Sequence, residues 1–194
     1  MTDIDDFDDL GTAPVAKYPT MAQLGSDGPK VKVVYGKGKP EEQIKETTGR
    51  LVLVRPVKLE LKVPSSFEGN APADRLSVDV VVLDGPPITN VIDKDGDDVY
   101  TFPEPLVPNQ SATLDAMYTS HTVLVGQLRD LLVNGNNAPG KWQYGRLMKL
   151  NPKPGSKNKP WALGRAVDAK LAKADADLAK AWVKTHPDPD VFDN

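Results

Sequence analysis

Proline and glycine set the first limit on this chain, with 18 and 15 of them spread over 194 residues. Proline lacks the backbone N–H and clashes with the preceding turn, and glycine loses the most entropy in a regular element, so long helices are cut short. The apolar share of 39% and the charged share of 26% are those of a globular chain. One strand-rich, loop-rich domain is therefore predicted.

Side-chain periodicity divides the body into elements. Gly49 to Glu60 places Leu51, Leu53, Val57 and Leu59 on one face at period two, and Pro56 implies an edge or a bulge. Arg75 to Leu83 alternates Leu76, Val78, Val80 and Val82 with Ser77, Asp79 and Val81, and Asp84-Gly85-Pro86-Pro87 stops it. Val91 to Thr101 reads as a hairpin around Asp95-Gly96, followed by extended or irregular chain at Pro103, Pro105 and Pro108. Thr122 to Val133 carries Val125, Leu128, Leu131 and Leu132 at helical spacing before Asn134-Gly135. Lys141 to Leu150 and Pro160 to Ala166 read as two further strands joined by a loop rich in Pro, Gly and Lys. Ala166 to Thr185 is an Ala-rich helix with Val167, Leu171, Ala174, Leu178 and Trp182 on one stripe, ended by Pro187. Upstream, Lys30 to Lys39 fits an edge strand or a basic loop, and Glu41 to Thr48 fits one helical turn.

Three strands, a short helix, two strands and an appended helix follow the order of an OB-fold, a mainly β, five-stranded barrel that often binds oligonucleotides. An SH3-like barrel or a small sandwich produces a similar order. The expected organisation is a mobile acidic arm over 1–29, the barrel over 30–165, the C-terminal helix over 166–185 and an acidic tail over 186–194.

Charge is distributed unevenly. Residues 1–10 hold five aspartates and residues 186–194 hold three, with no Lys or Arg in either segment, so the body between them carries 24 bases against 19 acids. A basic body with acidic ends suggests a polyanionic partner. The first ten residues are acidic where a secretory leader would be basic and then apolar, and no apolar run has the length of a membrane span, so a soluble, cytoplasmic protein is expected. The absence of cysteine removes disulfides, thiolate ligands and thiol nucleophiles.

Catalytic readings find little support. His121 and His186 are far apart in sequence, and each reads as a surface or helix-end residue. Asp93, Asp95, Asp97 and Glu104 approach the spacing of an EF-hand loop, but Asp98 stands where that loop needs glycine and Pro103 and Pro105 block an exit helix. Gly36-Lys37-Gly38-Lys39-Pro40 lacks the spacing of a phosphate-binding loop and reads as a flexible basic loop. Neither an enzymatic role nor a cofactor is expected.

The informative stretch lies between Asp130 and Asp168, where 37 residues contain no acid. It holds Lys141, Arg146, Lys149, Lys153, Lys157, Lys159 and Arg165, interleaved with Trp142, Tyr144 and Trp161. Cations that follow phosphates, beside rings that stack on unpaired bases, suit a single strand of nucleic acid. Strand alternation puts Trp142, Tyr144 and Arg146 on the ligand side if Leu147 points to the core. Tyr35 and Lys37 extend the candidate surface.

The segments GRLVLVRPVKLE, PSSFEGN, ADRLSVDVVVLDG, VLVGQLRDLL, GRLMKL and KPWALG resemble the single-stranded DNA-binding proteins encoded by phages of actinobacteria, over about Gly49 to Arg165. The resemblance implies an OB-fold, a role in phage DNA replication or recombination, and residence in the host cytoplasm. The tail, with Asp188, Asp190, Val191 and Phe192, resembles in kind the acidic tails by which bacterial single-stranded DNA-binding proteins recruit partners, although Asp193 and Asn194 follow the aromatic residue. Replication or recombination proteins are therefore candidate partners, and the Ala-rich helix is a candidate surface for a homo-oligomer. The competing readings are a structural or assembly protein of a virion or protein complex, and a small nuclease using Asp93 to Asp98.

Overall fold

A computed structural model describes residues 24, 28–36, 43–63, 72–92, 98–109, 117–119, 122–132, 140–155 and 159–187. Among them are nine strands and two helices: β1 Val31–Tyr35, β2 Gln43–Thr47, β3 Leu51–Val63, β4 Ala73–Val82, β5 Ile88–Ile92, β6 Asp98–Leu106, β7 Met117–Thr119, α1 Thr122–Arg129, β8 Gln143–Lys149, β9 Trp161–Ala166 and α2 Ala169–Thr185. Seven strands form one antiparallel sheet in the order β2-β1-β9-β8-β3-β4-β7, and β5-β6 form a separate hairpin. The architecture is mainly β. Among the described residues β7 and β9 do not pair, so the sheet stays open.

β3 explains how one sheet acquires two buried faces. Its first four residues, LVLV, are all buried: Val52 and Val54 face the main core, while Leu51 and Leu53 face α2. Burial on both sides requires a continuous apolar run in place of alternation. At Pro56 the register against β4 slips, from Pro56↔Val78 to Lys58↔Ser77. The extra residue exchanges the faces, and Leu59 packs on the main core with Val52 and Val54. The bulge expected from Pro56 is present, but it separates Leu59 from Leu51 and Leu53, which the sequence reading had placed on one face.

Leu76, Val78, Val80 and Val82 of β4 enter the main core as their spacing indicates, together with Leu147 and Leu163. Leu124, Val125 and Leu128 of α1 cover that core, and Ile88, Phe102 and Leu106 of the separate hairpin complete it. The opposite face is closed by Ala179 and Trp182 of α2 against Leu51, Leu53, Val81 and Leu83. The helix is thus an integral layer of the domain and not an appendage. Its inward stripe also differs from the expected one: Asp175, Ala179 and Trp182 are buried, whereas Val167, Ala174 and Leu178 are exposed. Asp168 caps its first turn by accepting from the Leu171 N–H at 2.7 Å, and His186 ends it, as expected for that histidine, stacked on Trp182 with ring centroids 4.3 Å apart.

Four further expectations are corrected. Glu41 to Thr48 does not make a helical turn; residues 43–47 form β2, paired with β1 from Val31↔Thr47 to Tyr35↔Gln43. β1 is interior, lying between β2 and β9. The hairpin at 88–106 stands outside the main sheet, and the strand beside β4 is the three-residue β7. Finally, the first 29 residues are not a detached arm throughout: Leu24 is buried in the main core, and a Cβ at Gly28 would lie 2.1 Å from the Thr48 carbonyl oxygen. No helix among the described residues is long and apolar enough to cross a membrane.

Candidate nucleic-acid interface

The β8–β9 connection carries the bases predicted to meet phosphate, and three hydrogen bonds hold its base. The Leu150 N–H donates to the Pro160 carbonyl at 2.8 Å and closes the loop. From β2, Gln43 Oε1 accepts from the Asn151 N–H at 2.7 Å, and the Lys45 ammonium donates to the Lys149 carbonyl at 3.0 Å. β2 therefore lays a lysine beside the loop. Burial, and then the charge of Lys159 nearby, hold the Lys45 pKa below its ordinary value. Lys149, Lys153 and Lys159 are exposed, and among the described residues no carboxylate lies within ion-pair distance of Lys45 or of these three. Like charges gathered without a counter-charge raise the local potential for an anion.

Lys149 and Trp161 are cross-strand partners, and the Lys149 ammonium lies 5.7 Å from the Trp161 ring centroid. The ring packs against the main core on one side and stays partly accessible. A cation over a ring at the loop base joins the two elements of single-strand recognition.

Trp142 and Arg146 have structural roles that the sequence reading did not assign to them. Trp142 is half-buried against α2, edge to face with Trp182 at 5.1 Å, with the Arg55 guanidinium 4.8 Å from its ring centroid. It is a packing residue, so Trp142→Ala should lower stability by about 2 to 3 kcal/mol. Chemical unfolding checks this, and a loss below about 0.5 kcal/mol would return Trp142 to the exposed surface. Arg146 is buried: its Nε and Nη2 donate to the two oxygens of Asp175 at 2.8 and 2.7 Å, and its Nη1 donates to Asp84 Oδ2 and the Gly49 carbonyl, both at 2.8 Å. Burial alone would lower its pKa, but the bonds and charges of Asp175 and Asp84 outweigh that and hold it above the ordinary value. Leu147 does point to the core; the opposite face is covered by α2, so Arg146 meets carboxylates and not a ligand.

A second feature lies where the sheet forks. β9 pairs with β8 from Lys149↔Trp161 to Arg146↔Gly164, then with β1 through Val34↔Arg165 and Val33↔Ala166. Beyond those limits the strands part, and an open groove of about 690 Å³ occupies the gap. Tyr35, Trp142, Tyr144, Arg165 and Asp175 are in its wall. Tyr144 and Arg165 are exposed and Tyr35 is half-buried. Beside the gap Gln127 of α1 stands in for a strand: its Nε2 donates to the Leu163 carbonyl and its Oε1 accepts from the Leu163 N–H, both at 2.9 Å.

The structure thus gathers Lys149, Lys153, Lys159 and Trp161 at the loop, and Tyr35, Tyr144 and Arg165 at the fork. Lys37, Lys157, Asp188, Asp190, Val191, Phe192, His121 and the Asp93–Asp97 segment lie outside the described residues. Lys45 was missed because its neighbours, QIKET, suggest no site until β2 folds toward the loop. The chain matches no protein-family model, no curated protein and no solved structure.

Proposed function

We propose that this protein binds single-stranded DNA without sequence preference, in replication or recombination, through the β8–β9 loop. The observation that carries this reading is the convergence of Lys45, Lys149 and Lys159, from two strands and a loop, around Trp161. The connectivity supports it as well. The order β7-β4-β3-β8-β9, with α1 between β7 and β8, is that of an OB barrel left open between its third and fifth strands, and β8–β9 is then one of the two loops through which such barrels contact oligonucleotides. β1-β2 and β5-β6 are additions to that plan.

Intrinsic fluorescence tests the proposal. Of the three tryptophans, Trp161 alone combines an accessible ring with the lysines, so oligo-dT should quench emission from it. Contacts to Lys45, Lys149, Lys153, Lys159 and Arg165 should give a slope of log K against log salt of about −3.5, at about 0.7 per neutralised phosphate. Folded protein whose emission does not respond to oligo-dT at low salt would overturn the proposal.

A further inference from the structure

We infer that the outer face of β2, β1 and β9 is a docking surface for the acidic tail, residues 188–194, of a second copy of this chain. Ladder register defines the face. Val34 is the partner of Ile44 on one side and of Arg165 on the other, and Lys32 is the partner of Glu46, so these five residues share one side of the sheet. The Val167 N–H donates to the Lys32 carbonyl at 2.9 Å, which carries the register one residue past β9 and sets Val167 beside Lys32 on that side. Ile44 is 56% exposed and Val167 44%, two large apolar side chains in solvent at opposite corners of the patch. Between them Val34 and Leu163 line the open groove from this side, with Gln127 and Arg165 at its edge. Lys32 and Arg165 are exposed, and among the described residues no carboxylate lies within ion-pair distance of either. Lys30, exposed just before β1, adds a third cation against the one acid of these rows, Glu46. Apolar side chains set among cations fit an acidic segment that carries apolar side chains of its own.

The tail has that chemistry. Asp188, Asp190 and Asp193 surround Val191 and Phe192, and no Lys or Arg follows Lys184. A copy's own tail cannot supply it. α2 starts beside β9 and crosses the opposite face of the sheet, past β8, where Asp175 meets Arg146, to β3, where Trp182 packs with Leu51 and Leu53. β1 and β2 lie on the other side of β9. The 17 residues of α2 carry the chain about 25 Å away from them. Phe192, five residues after Pro187, reaches back at most about 18 Å. The occupant is therefore the tail of another copy, and the association is head to tail. Each docked copy leaves one face and one tail free, so further copies add without closing a ring. Arg165 belongs both to this face and to the proposed path of the nucleic acid, so the variants below leave it in place.

Sedimentation velocity of the full chain at low salt, from low micromolar to near-millimolar concentration and without nucleic acid, tests this. Wild type should grow with concentration past the dimer, and salt should reverse the growth by screening the tail. Ile44→Asp and Lys32→Glu, which damage the face at exposed positions, and Phe192→Ala, which damages the tail, should each weaken association about tenfold or more, with thermal unfolding as the check on folding. Ile44→Asp keeps an intact tail and Phe192→Ala an intact face. Their equimolar mixture should therefore form a one-to-one pair and nothing larger, an outcome that a symmetric interface does not give. Wild type that stays monomeric at every concentration would overturn the proposal, as would undiminished association of folded Ile44→Asp and Lys32→Glu, or a mixture that stays monomeric. Because no nucleic acid is present, none of these results touches the single-strand reading, which stands or falls with oligo-dT.

Discussion

Arg146→Ala should destabilise the domain by about 3 to 5 kcal/mol, the cost of leaving a buried carboxylate without its partner. Asp175 is 3% exposed and accepts two bonds from that guanidinium, and Asp84, whose other oxygen takes the Leu51 N–H at 2.7 Å, accepts a third. One side chain therefore ties α2, the β4–β5 turn, β8 and the Gly49 carbonyl together. For a chain of this size the loss corresponds to a fall in melting temperature on the order of 10 °C. Arg146→Lys should recover little, because an ammonium cannot match the two oxygens of Asp175 with two parallel bonds. Arg146→Leu with Asp175→Leu should recover much more, since the fully buried carboxylate goes with its partner and Asp84, which is more exposed, keeps the Leu51 N–H. Urea denaturation of the four proteins decides this. A loss below about 1 kcal/mol for Arg146→Ala would show that water reaches Asp175 and that the network does not hold the helix.

Replacing Lys45, Lys149 and Lys159 together by alanine should weaken oligo-dT binding roughly 10- to 100-fold at low salt and flatten the salt slope by about 2, three phosphate contacts at about 0.7 each. Net charge alone could lower affinity, so the matched control removes three bases elsewhere. Lys170, Lys180 and Lys184 are exposed on α2, and their triple alanine variant has the same formal charge. If both variants lose affinity equally, the loop base has no special standing and the body acts as a diffuse polycation. If only the first loses it, phosphate follows the β8–β9 loop. Stability should hardly change in the α2 variant, because exposed lysines without ion pairs contribute little to folding, and should fall by about 1 kcal/mol in the first, where half-buried Lys45 loses its bond to the Lys149 carbonyl.

Much of the fold was legible because its signals are local. Alternation at Leu76, Val78, Val80 and Val82 needs only one buried face, and Pro187 marks the end of α2 by the chemistry of a helix breaker, whereas the start was read at Ala166 and the cap is Asp168. What escaped depends on partners remote in sequence. β2 was read as a helical turn because QIKET has a single apolar residue, Ile44, and so no alternation to read, and only pairing with β1 makes it a strand. The inward stripe of α2 was misassigned because hydropathy does not place an aspartate inside, and Asp175 is buried only where Arg146, 29 residues away, neutralises it. Arg146 drew the complementary error: in a run without acids it looked unpaired, while its carboxylates lay beyond both ends of that run. Exposed bases such as Lys149, Lys153 and Lys159 were placed correctly at the surface because nothing local opposes their hydration.

The carboxamide of Gln127 bears on how copies of this protein coexist at high concentration. Where β1 leaves β9, the N–H and carbonyl of Leu163 would otherwise face outward as an unfilled rung, the kind of template on which a strand from another molecule adds. Gln127 fills that rung with the same donor and acceptor that a peptide unit would present. Because the cap is one side chain on a helix, it carries no further rung of its own and cannot propagate pairing. The fork can thus hold its strands apart without offering Leu163 as an open rung to a strand of another molecule.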